Sequence, residues 1–336
     1  MGERTGIAWT DCTWNPIRGC SRVSEGCRNC YAEKIAARFS DVGKPFHGFA
    51  SIGQRKGAHG WTGKVELVPE KLEEPLHWRK PRRVFVNSMS DLFHEKLSNE
   101  DIASVFGVMG FCPHLTFQVL TKRPERMKAW FAWLAGKDRP RELWRIPPAL
   151  YLPANVVVAP EDWPLPNVWL GVSVEDQAAA VARIPILLDT PAAVRFVSYE
   201  PSLGPVRFDR LATADLGRLD ALRGCHFVDG RNEPLPTPRI DWLIVGGESG
   251  PTARPFDIAW ARSVVEQCKA AGVACFVKQV GANPVPLAPM RLPSYNALTG
   301  RRHRGWLEDG PHAISDPAGA DPSEWPEDLR VREFPR

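Results

Sequence analysis

The sequence predicts an α/β protein, a full or partial TIM-type (β/α) barrel with loop insertions and a C-terminal wrap. Two observations predict this fold class. Short apolar runs that end in polar residues alternate with segments of helical periodicity, an order typical of parallel sheets. The apolar runs are almost uninterrupted, as expected for strands that are covered on both faces. A doubly wound open sheet is the alternative fold class.

Counting a first strand near residues 7–9, about seven strands are expected, enough for most of a barrel. The second and third lie near residues 84–86 and 116–120. The later apolar runs end at polar or glycine residues, namely Ser173, Ser198, Gly246 and Lys278. Because the carboxyl ends of barrel strands meet at one rim, we expect these ends to surround a common mouth.

Capping residues predict where several helices begin and end. Ser98 and Asp101 form a capping-box pattern ahead of apolar residues at helical spacing. Pro124 suits the first turn of the helix that follows the third strand. Asp257 is typical of an N-cap and Gly272 of a helix end. Helices placed between strands in this way favour right-handed βαβ units.

The chain of 336 residues suits one large domain or two ordinary ones. We expect a barrel-like domain over residues 1–281, with insertions near 40–64, 139–166 and 209–238. Residues 282–336 no longer follow the strand–helix rhythm, so they are expected to form a C-terminal extension packed on the barrel.

The composition is that of a folded soluble protein, with 43% hydrophobic and 24% charged residues. The chain lacks both a signal-peptide pattern and the apolar run of about 18 residues that a membrane span needs. We therefore expect a cytoplasmic protein without a membrane partner and with reduced thiols. The formal charge of +4 permits a nucleic-acid partner without demanding one. Such a partner would meet two basic patches, Arg79, Lys80, Arg82 and Arg83, and Arg301, Arg302 and Arg304.

Three cysteines form the strongest functional pattern. Cys20, Cys27 and Cys30 stand at Cys-x6-Cys-x2-Cys spacing, and the good helix formers of residues 31–39 follow at once. A loop that enters a helix favours thiolates, because the free N–H groups of the first turn stabilise negative charge. Three thiolates suit a soft metal. Structural zinc and iron–sulfur sites usually take four protein ligands, so three ligands leave one position open for chemistry.

An iron–sulfur cluster is the favoured interpretation of Cys20, Cys27 and Cys30, with zinc and a metal-free cluster of packed thiols as alternatives. Seven residues separate Cys12 from Cys20, and Cys12 is predicted not to be a required ligand. The remaining cysteines stand in apolar or loop contexts and are expected to be structural: Cys112, Cys225, Cys268 and Cys275.

Polar side chains at the predicted strand ends are candidates for binding a small cofactor. They are Asn87, Ser90, Asp91, Lys122, Arg123, Ser173, Glu175, Glu200, Gly246, Gly247, Glu248, Ser249 and Lys278. Their charges alternate in sign, which suits a zwitterionic ligand. The alternative is that such residues only cap helices and form salt bridges. The GGESG run is weak as a phosphate loop, because it lacks the Gly-x-Gly-x-x-Gly pattern.

The cysteine run GCSRVSEGCRNCYAEKIA is joined by ordered blocks along the chain: FVNSMSDLFHE, QVLTKRPERM, WLGVSVED, FVSYEPSLGPV, WLIVGGESGPTARP, FVKQVG and EWPEDLRVREFP. Together they resemble the phage-associated three-Cys-motif family of uncharacterised proteins, from about residue 5 to the C-terminus. Its cysteine cluster in turn looks like that of radical S-adenosylmethionine enzymes. This chain differs from their Cys-x3-Cys-x2-Cys spacing, and its aromatic Tyr31 follows the last cysteine where those enzymes have an aromatic before it.

The resemblance implies a 4Fe–4S cluster on the three cysteines, with S-adenosylmethionine bound at the open iron and cleaved reductively. An electron donor would then be a partner, and a nucleic acid or nucleotide is considered as the substrate. Two other functions are kept beside this one. The first is a zinc-stabilised barrel that binds nucleic acid without redox chemistry. The second is a metal-independent hydrolase with acid and base groups at Asp91, Glu175, Glu200 and Glu248.

Overall fold

The computed structural model describes residues 5–53, 59–136, 163–215, 217–285 and 314–335. Parallel strands and helices alternate through this part of the chain, which confirms the α/β class. The helices are α1 (Tyr31–Arg38), α2 (Pro69–Leu72), α3 (Asn99–Phe111), α4 (Pro124–Ala135), α5 (Gln177–Leu188) and α6 (Ile258–Ala271). The longer strands are β1 (Cys12–Trp14), β6 (Arg83–Val86), β7 (Thr116–Thr121), β8 (Val168–Ser173), β9 (Val194–Tyr199), β14 (Trp242–Gly246) and β16 (Ala274–Gln279).

Short strands fill the connections between these elements. They are β2 (Ile17–Arg18), β3 (Ala50–Ile52), β4 (His59–Trp61), β5 (Glu66–Leu67), β10 (Leu211–Ala212), β11 (Arg218–Asp220), β12 (Cys225–Phe227), β13 (Leu235–Pro236), β15 (Phe256–Asp257) and β17 (Pro284–Val285). The strands β3 and β4 pair as a hairpin inside the first predicted insertion. The insertion near 209–238 was expected to be a loop, but it holds a small antiparallel sheet in the order β10-β11-β12-β13.

The chain divides into two compact units. The first comprises Met1–Val172 and Ile186–Arg195, and the second comprises Ser173–Pro185 and Phe196–Arg336. The first unit contains the parallel strands β1, β6, β7 and β8, paired in that order. The second contains β9, β14 and β16, again parallel and paired in that order.

Apolar side chains account for the strands and helices of the first unit. Val84, Val86 and Val119 on β6 and β7 are buried. Phe106 of α3 and Trp130 of α4 stack with ring centroids 4.5 Å apart. Ser98 and Asp101 form the predicted capping box, because each side chain accepts a hydrogen bond from the other residue's backbone N–H. This packing fixes the amino ends of the helices beside the strand ends.

The first strand lies later in the chain than the sequence indicates. Residues 7–9 form a turn, closed by a hydrogen bond from the Thr10 N–H to the Ile7 carbonyl. The strand begins only at Cys12, after the Asp11 carboxylate has accepted a hydrogen bond from the Arg83 N–H. The pairing partner on β6 therefore sets where the strand starts, and the prediction near residues 7–9 is wrong.

The second unit shows the predicted helix boundaries of α6. The Asp257 side chain accepts from the Ala259 N–H, and Gly272 ends the helix at φ 66°. The chain end runs beside β16, where the Val277 N–H donates to the Val331 carbonyl and the Glu333 N–H to the Cys275 carbonyl. Of the predicted insertions and extension, residues 139–162 and 286–313 lie outside the described residues. No described helix has the length and apolar character needed to cross a membrane.

Candidate metal centre

The three cysteines lie on the loop that joins β2 to α1, within the first unit. Cys27 ends a short 3-10 turn, and Cys30 is the N-cap of α1. The Val23 N–H points at the Cys27 sulfur over 3.5 Å, and the Cys30 N–H donates to the Cys27 carbonyl over 3.3 Å. The loop thus runs directly into the helix, as its sequence predicts.

Gly19 sets the direction in which the chain enters this loop. Its φ is +86°, a left-handed conformation that favours glycine. A Cβ atom at this position would stand only 1.9 Å from the carbonyl oxygen of Lys64. Gly19 also forms an isolated parallel bridge with Ser90. The residue before Cys20 must therefore be glycine for this loop to approach the strand ends.

Two of the predicted strand-end residues hold the chain just ahead of Cys20. The Asn87 side-chain oxygen accepts from the Ile17 N–H over 3.3 Å, and the Ser90 hydroxyl donates to the Ile17 carbonyl over 3.1 Å. Asn87 itself sits at φ 59°, while its backbone N–H donates to the Trp14 carbonyl. The Asn87 amide nitrogen is buried without a hydrogen-bond partner. Both residues bind the loop, and one polar atom of Asn87 remains unused.

Arg123 joins the strand ends to the cysteine loop through four hydrogen bonds. Its Nη2 donates to the carbonyl oxygen of Ser21 over 3.1 Å and to its hydroxyl over 2.8 Å. Its Nη1 donates to Asp91 over 3.2 Å and its Nε to Glu95 over 2.8 Å. Arg123 and Asp91 are only 9% and 6% exposed, so this is a buried ion pair. Asp91 also accepts from the Thr121 hydroxyl and the Lys122 N–H.

His94 contacts the same serine, Ser21, through its imidazole ring. Its ring is fully buried, with Nε2 2.9 Å from the Ser21 hydroxyl. The Lys96 N–H donates to Nδ1, so Nε2 carries the proton and donates to Ser21. Burial, together with the nearby Arg123 charge, lowers the pKa of His94 and keeps the imidazole neutral.

Glu33 fastens the other side of the loop. Its carboxylate is buried on α1 and is bound in a fork by Arg22, which lies between Cys20 and Cys27. It also accepts from the Trp61 N–H over 3.0 Å. A charge-assisted fork of this kind fixes both distance and orientation. The cysteine loop is therefore held at Ser21 and at Arg22, on either side of its turn.

The three thiols lie within electrostatic range of one another. Cys30 acts on Cys20 and Cys27 acts on Cys30, and each raises the pKa of its neighbour. Burial is the largest cause for both groups, and it raises the pKa of Cys20 to about 12. The Cys20 and Cys30 thiols are thus neutral until a cation displaces their protons. Among the described residues, no three His, Cys, Asp or Glu side chains converge as a ready-made metal group.

The donor set fits a soft metal by its chemistry. Three half-buried sulfurs share one short loop, and the buried Ser24 hydroxyl on the same loop has no hydrogen-bond partner. The Cys12 thiol instead points at the Arg83 carbonyl from within β1. That Cys12 is not a required ligand stays a prediction. Three sulfurs suit a soft metal, and both the iron–sulfur cluster and zinc stay predictions here.

Comparison with protein families gives one result. The sequence model of the family described as "Protein of unknown function (DUF5131)" matches residues 4–306. The chain belongs to this family. No curated protein and no solved structure matches it. Membership of DUF5131 covers nearly the whole chain and therefore both compact units. Phage association and likeness to radical enzymes lie beyond this match and stay predictions.

The strand-end candidates of the second unit form their own ion pairs in this DUF5131 protein. Glu175 is buried and receives two hydrogen bonds from Arg183, which also donates to the Ser173 carbonyl. Glu200 pairs with Lys278. In each pair, a basic side chain binds the carboxylate. Binding of a cofactor by these groups stays a prediction.

Gly246 and Gly247, which precede Glu248, allow neighbouring atoms of the protein to pack closely against the backbone. A Cβ atom at Gly247 would stand 2.9 Å from the Val280 carbonyl oxygen and 3.0 Å from Phe256. Gly246 likewise packs against Gln279 and Glu200. Glu248 accepts three hydrogen bonds from Arg254, two from its guanidinium and one from its backbone N–H. Ser249, which follows, is exposed.

The structure also places residues that the sequence-based list missed. Ser21, Arg22, Glu33 and His94 hold the cysteine loop, yet nothing in their spacing distinguishes them. A glutamate in the first turn of a helix is common, because it complements the helix dipole. Only the burial of Glu33 marks it as part of the site.

The remaining sequence-based candidates are the other cysteines and the two basic patches. Cys112, Cys268 and Cys275 are buried, as expected of structural residues, and Cys225 is half-buried. Of the first basic patch, Arg83 pairs with Asp11 and Arg82 lies over the Trp78 ring. The second patch, Arg301, Arg302 and Arg304, lies outside the described residues.

Proposed function

We propose that this protein is an iron–sulfur enzyme that resembles radical S-adenosylmethionine enzymes and acts on a nucleic acid or nucleotide. One observation carries the proposal. Cys20, Cys27 and Cys30 share a single loop that is held by buried groups on both sides, with Cys30 at the start of α1. Buried groups that orient the ligands from outside are a regular part of metal sites, and the groups that hold this loop support the proposal. Kinship with phage-associated three-Cys-motif proteins and a full or partial TIM-type barrel belong to the same proposal.

Cys20, Cys27 and Cys30 would hold a 4Fe–4S cluster. When bound, such a cluster supplies one electron to the sulfonium of S-adenosylmethionine and so drives its reductive cleavage. The chain itself positions the thiols. Arg123 and His94 hold Ser21, next to Cys20, while Glu33 holds Arg22. Lys122, whose ammonium lowers the pKa of Cys30 against the stronger effect of burial, places a positive charge near the thiolates.

The charged strand-end residues are included in the proposal as cofactor-binding groups, and the acids among them are already paired. Each of the acid/base candidates of the hydrolase alternative has a cationic partner: Asp91 with Arg123, Glu175 with Arg183, Glu200 with Lys278 and Glu248 with Arg254. A carboxylate whose oxygens already accept hydrogen bonds from a cation is less free to exchange a proton with a substrate. This pairing favours the iron–sulfur proposal over the hydrolase.

The test is cleavage of S-adenosylmethionine by the anaerobically reconstituted protein. With dithionite as reductant, we expect 5′-deoxyadenosine and methionine to form in equal amounts. Cys27→Ala should abolish both products, whereas Cys225→Ala, a half-buried thiol outside the loop, should leave them unchanged. No cleavage by wild-type protein that carries a complete cluster would overturn the proposed activity.

A further inference from the structure

An exposed apolar surface lies beside the cysteine loop. Of the seven large hydrophobic side chains that are exposed in the described part of the chain, six belong to residues 23–52. Tyr31, Ile35 and Phe39 are 45%, 36% and 48% exposed, and Val42 just beyond them is 85% exposed. The spacing of four residues places the first three on one face of α1. We call Tyr31, Ile35, Phe39 and Val42 the α1 stripe.

The stripe reverses the usual pattern of a surface helix. The inward face of α1 carries the small residues Ala32, Ala36 and Ala37, all buried, while the large apolar side chains point outward. A surface helix normally buries its large apolar residues and presents polar residues to water. Single exposed apolar residues are ordinary, but several on one face mark a docking surface.

The charges around the stripe are mainly positive. Arg38 on α1 and Lys44 in the following loop are exposed, and Asp41 is the exposed acid among them. The other acids close by are neutralised, because Glu33 is bound by Arg22 and Glu25 lies 3.8 Å from Arg28. An apolar centre with a basic rim fits a protein whose own apolar patch is surrounded by acidic groups.

The place of the stripe in the chain indicates what that partner does. Tyr31 directly follows Cys30, and its hydroxyl donates to the Ser88 carbonyl, which fixes the first ring of the stripe. Val23, 44% exposed, lies between Cys20 and Cys27. The apolar surface is thus built on the same loop and helix as the three thiols. Electron transfer falls steeply with distance, so a donor must dock close to the cluster it reduces.

We propose that the α1 stripe is the docking surface for an acidic one-electron donor protein. The inference rests on the proposed function, because it requires a redox cluster on Cys20, Cys27 and Cys30. If the donor is a flavoprotein, its anionic flavin hydroquinone loses one electron and becomes the neutral semiquinone. The cluster gains that electron and passes from the 2+ to the 1+ state, with no proton transferred. A single-stranded nucleic acid would stack its bases on exposed aromatic rings, whereas the stripe alternates Tyr31 and Phe39 with the aliphatic Ile35 and Val42; nucleic-acid binding is therefore an outcome that the experiment tests.

The experiment compares two reductants on the reconstituted protein, with reduced flavodoxin as the acidic protein probe and dithionite as the small one. We expect the double variant I35D/F39D to keep the iron content and the dithionite-reduced spectrum of wild type. Its reduction by flavodoxin should slow at least about tenfold, the size of effect that loss of one interface anchor produces. Added salt should slow the wild-type reaction with flavodoxin more steeply than that with dithionite, a small anion with far fewer charges than an acidic protein.

A matched control is available outside the stripe. Leu235, 38% exposed on β13, is the seventh exposed large hydrophobic of the described residues. Both donors should reduce L235D at the wild-type rate. Binding of flavodoxin to the metal-free protein, measured by calorimetry, should likewise weaken in I35D/F39D and not in L235D. This second readout does not depend on the cluster.

The outcomes separate the two proposals. Unchanged flavodoxin binding and reduction in I35D/F39D would overturn the docking surface, even with a working cluster. Failure of flavodoxin to reduce wild-type protein that dithionite reduces would do the same. Weaker binding of a single-stranded oligonucleotide by I35D/F39D, with the flavodoxin reaction intact, would assign the stripe to nucleic acid instead. If no cluster forms in wild type, the proposed function fails first and the inference fails with it.

Discussion

Gly19 shows how one residue without a side chain places a metal ligand. We predict that Gly19→Ala lowers both the free energy of unfolding and the metal content. The left-handed backbone alone costs alanine about 1–2 kcal/mol. The added Cβ must also displace the Lys64 carbonyl, which lies 1.9 Å away. Chemical denaturation and metal analysis of the purified variant measure the two effects.

Gly48 is the matched control for this substitution. Its φ is +78°, but nothing lies within 4 Å of the position of a Cβ atom. Gly48→Ala should therefore lower the free energy of unfolding only by the cost of the left-handed backbone, and it should leave the metal content intact. Equal losses of stability and metal in the two variants would contradict the assignment of the Lys64 contact as the decisive one.

Arg123 is expected to matter through its fork of hydrogen bonds as well as its charge. Arg123→Lys keeps the charge but cannot reach Asp91, Glu95 and Ser21 together. Breaking a buried ion pair costs about 3–5 kcal/mol. We therefore predict that the free energy of unfolding falls by about that amount or somewhat less, and that metal binding weakens. The exposed pair of Arg207 and Asp209 offers the control, since Arg207→Lys should cost below about 1 kcal/mol. Similar losses in the two variants would argue against the buried network.

His94 gives the fold a pH dependence with a definite sign. Burial lowers the pKa of His94 below its ordinary value of 6.5, so the unfolded chain takes up a proton more readily than the folded one. The stabilising contribution is complete above about pH 6.5 and is lost as the pH falls toward the folded pKa. One proton accounts for at most about 1.4 kcal/mol per pH unit. Urea unfolding at pH 7.5, 6.5 and 5.5 measures this slope.

The variant His94→Asn supplies the comparison, because an amide oxygen can accept from the Lys96 N–H as Nδ1 does. We expect a shallower fall in stability below pH 6.5 in the variant than in wild type. Parallel pH profiles would show that His94 does not titrate as described.

At the scale of elements, a variant of the α3 cap tests whether the first unit can lose stability without losing metal. Ser98→Ala removes the hydroxyl that accepts from the Asp101 N–H and should cost about 1 kcal/mol. We predict unchanged metal content, because no hydrogen bond or ion pair joins α3 to the cysteine loop among the described residues. Thermal unfolding and metal analysis of the same preparation decide the point. Loss of metal along with the cap would mean that α3 supports the site directly.

The longer elements could be predicted from the sequence because their apolar runs and caps lie in one stretch of chain. Ser98, Pro124 and Asp257 each mark a helix start that the structure confirms. The short strands of residues 211–236 could not be predicted, since two or three residues carry no periodicity. The first strand was misplaced because its start depends on pairing with Arg83, far along the chain.

The candidate site was predictable in position but not in contacts. The cysteine spacing located the loop, and the strand ends located Asn87, Ser90, Asp91 and Arg123 beside it. Their roles depend on partners that are distant in sequence, such as Asp91 with Arg123. Those partners become visible only once the chain is folded.

At the scale of the whole molecule, the two units contain different candidate groups. The first contains the three cysteines and the network that holds them, and the second contains Glu175, Glu200 and Glu248 with their cations. Membership of DUF5131 spans residues from both. The central claim therefore concerns the first unit alone, namely that its cysteine loop holds an iron–sulfur cluster.

The most direct test is the iron, sulfide and zinc content of the anaerobically reconstituted protein. The account predicts close to four iron and four sulfide per chain in wild type, as a 4Fe–4S cluster requires, and in Cys12→Ala, whose thiol lies in β1. Cys20→Ala, Cys27→Ala and Cys30→Ala should each lose most of the iron. Near-stoichiometric zinc without iron in wild type, or a loss of iron in Cys12→Ala equal to that in Cys27→Ala, would contradict it.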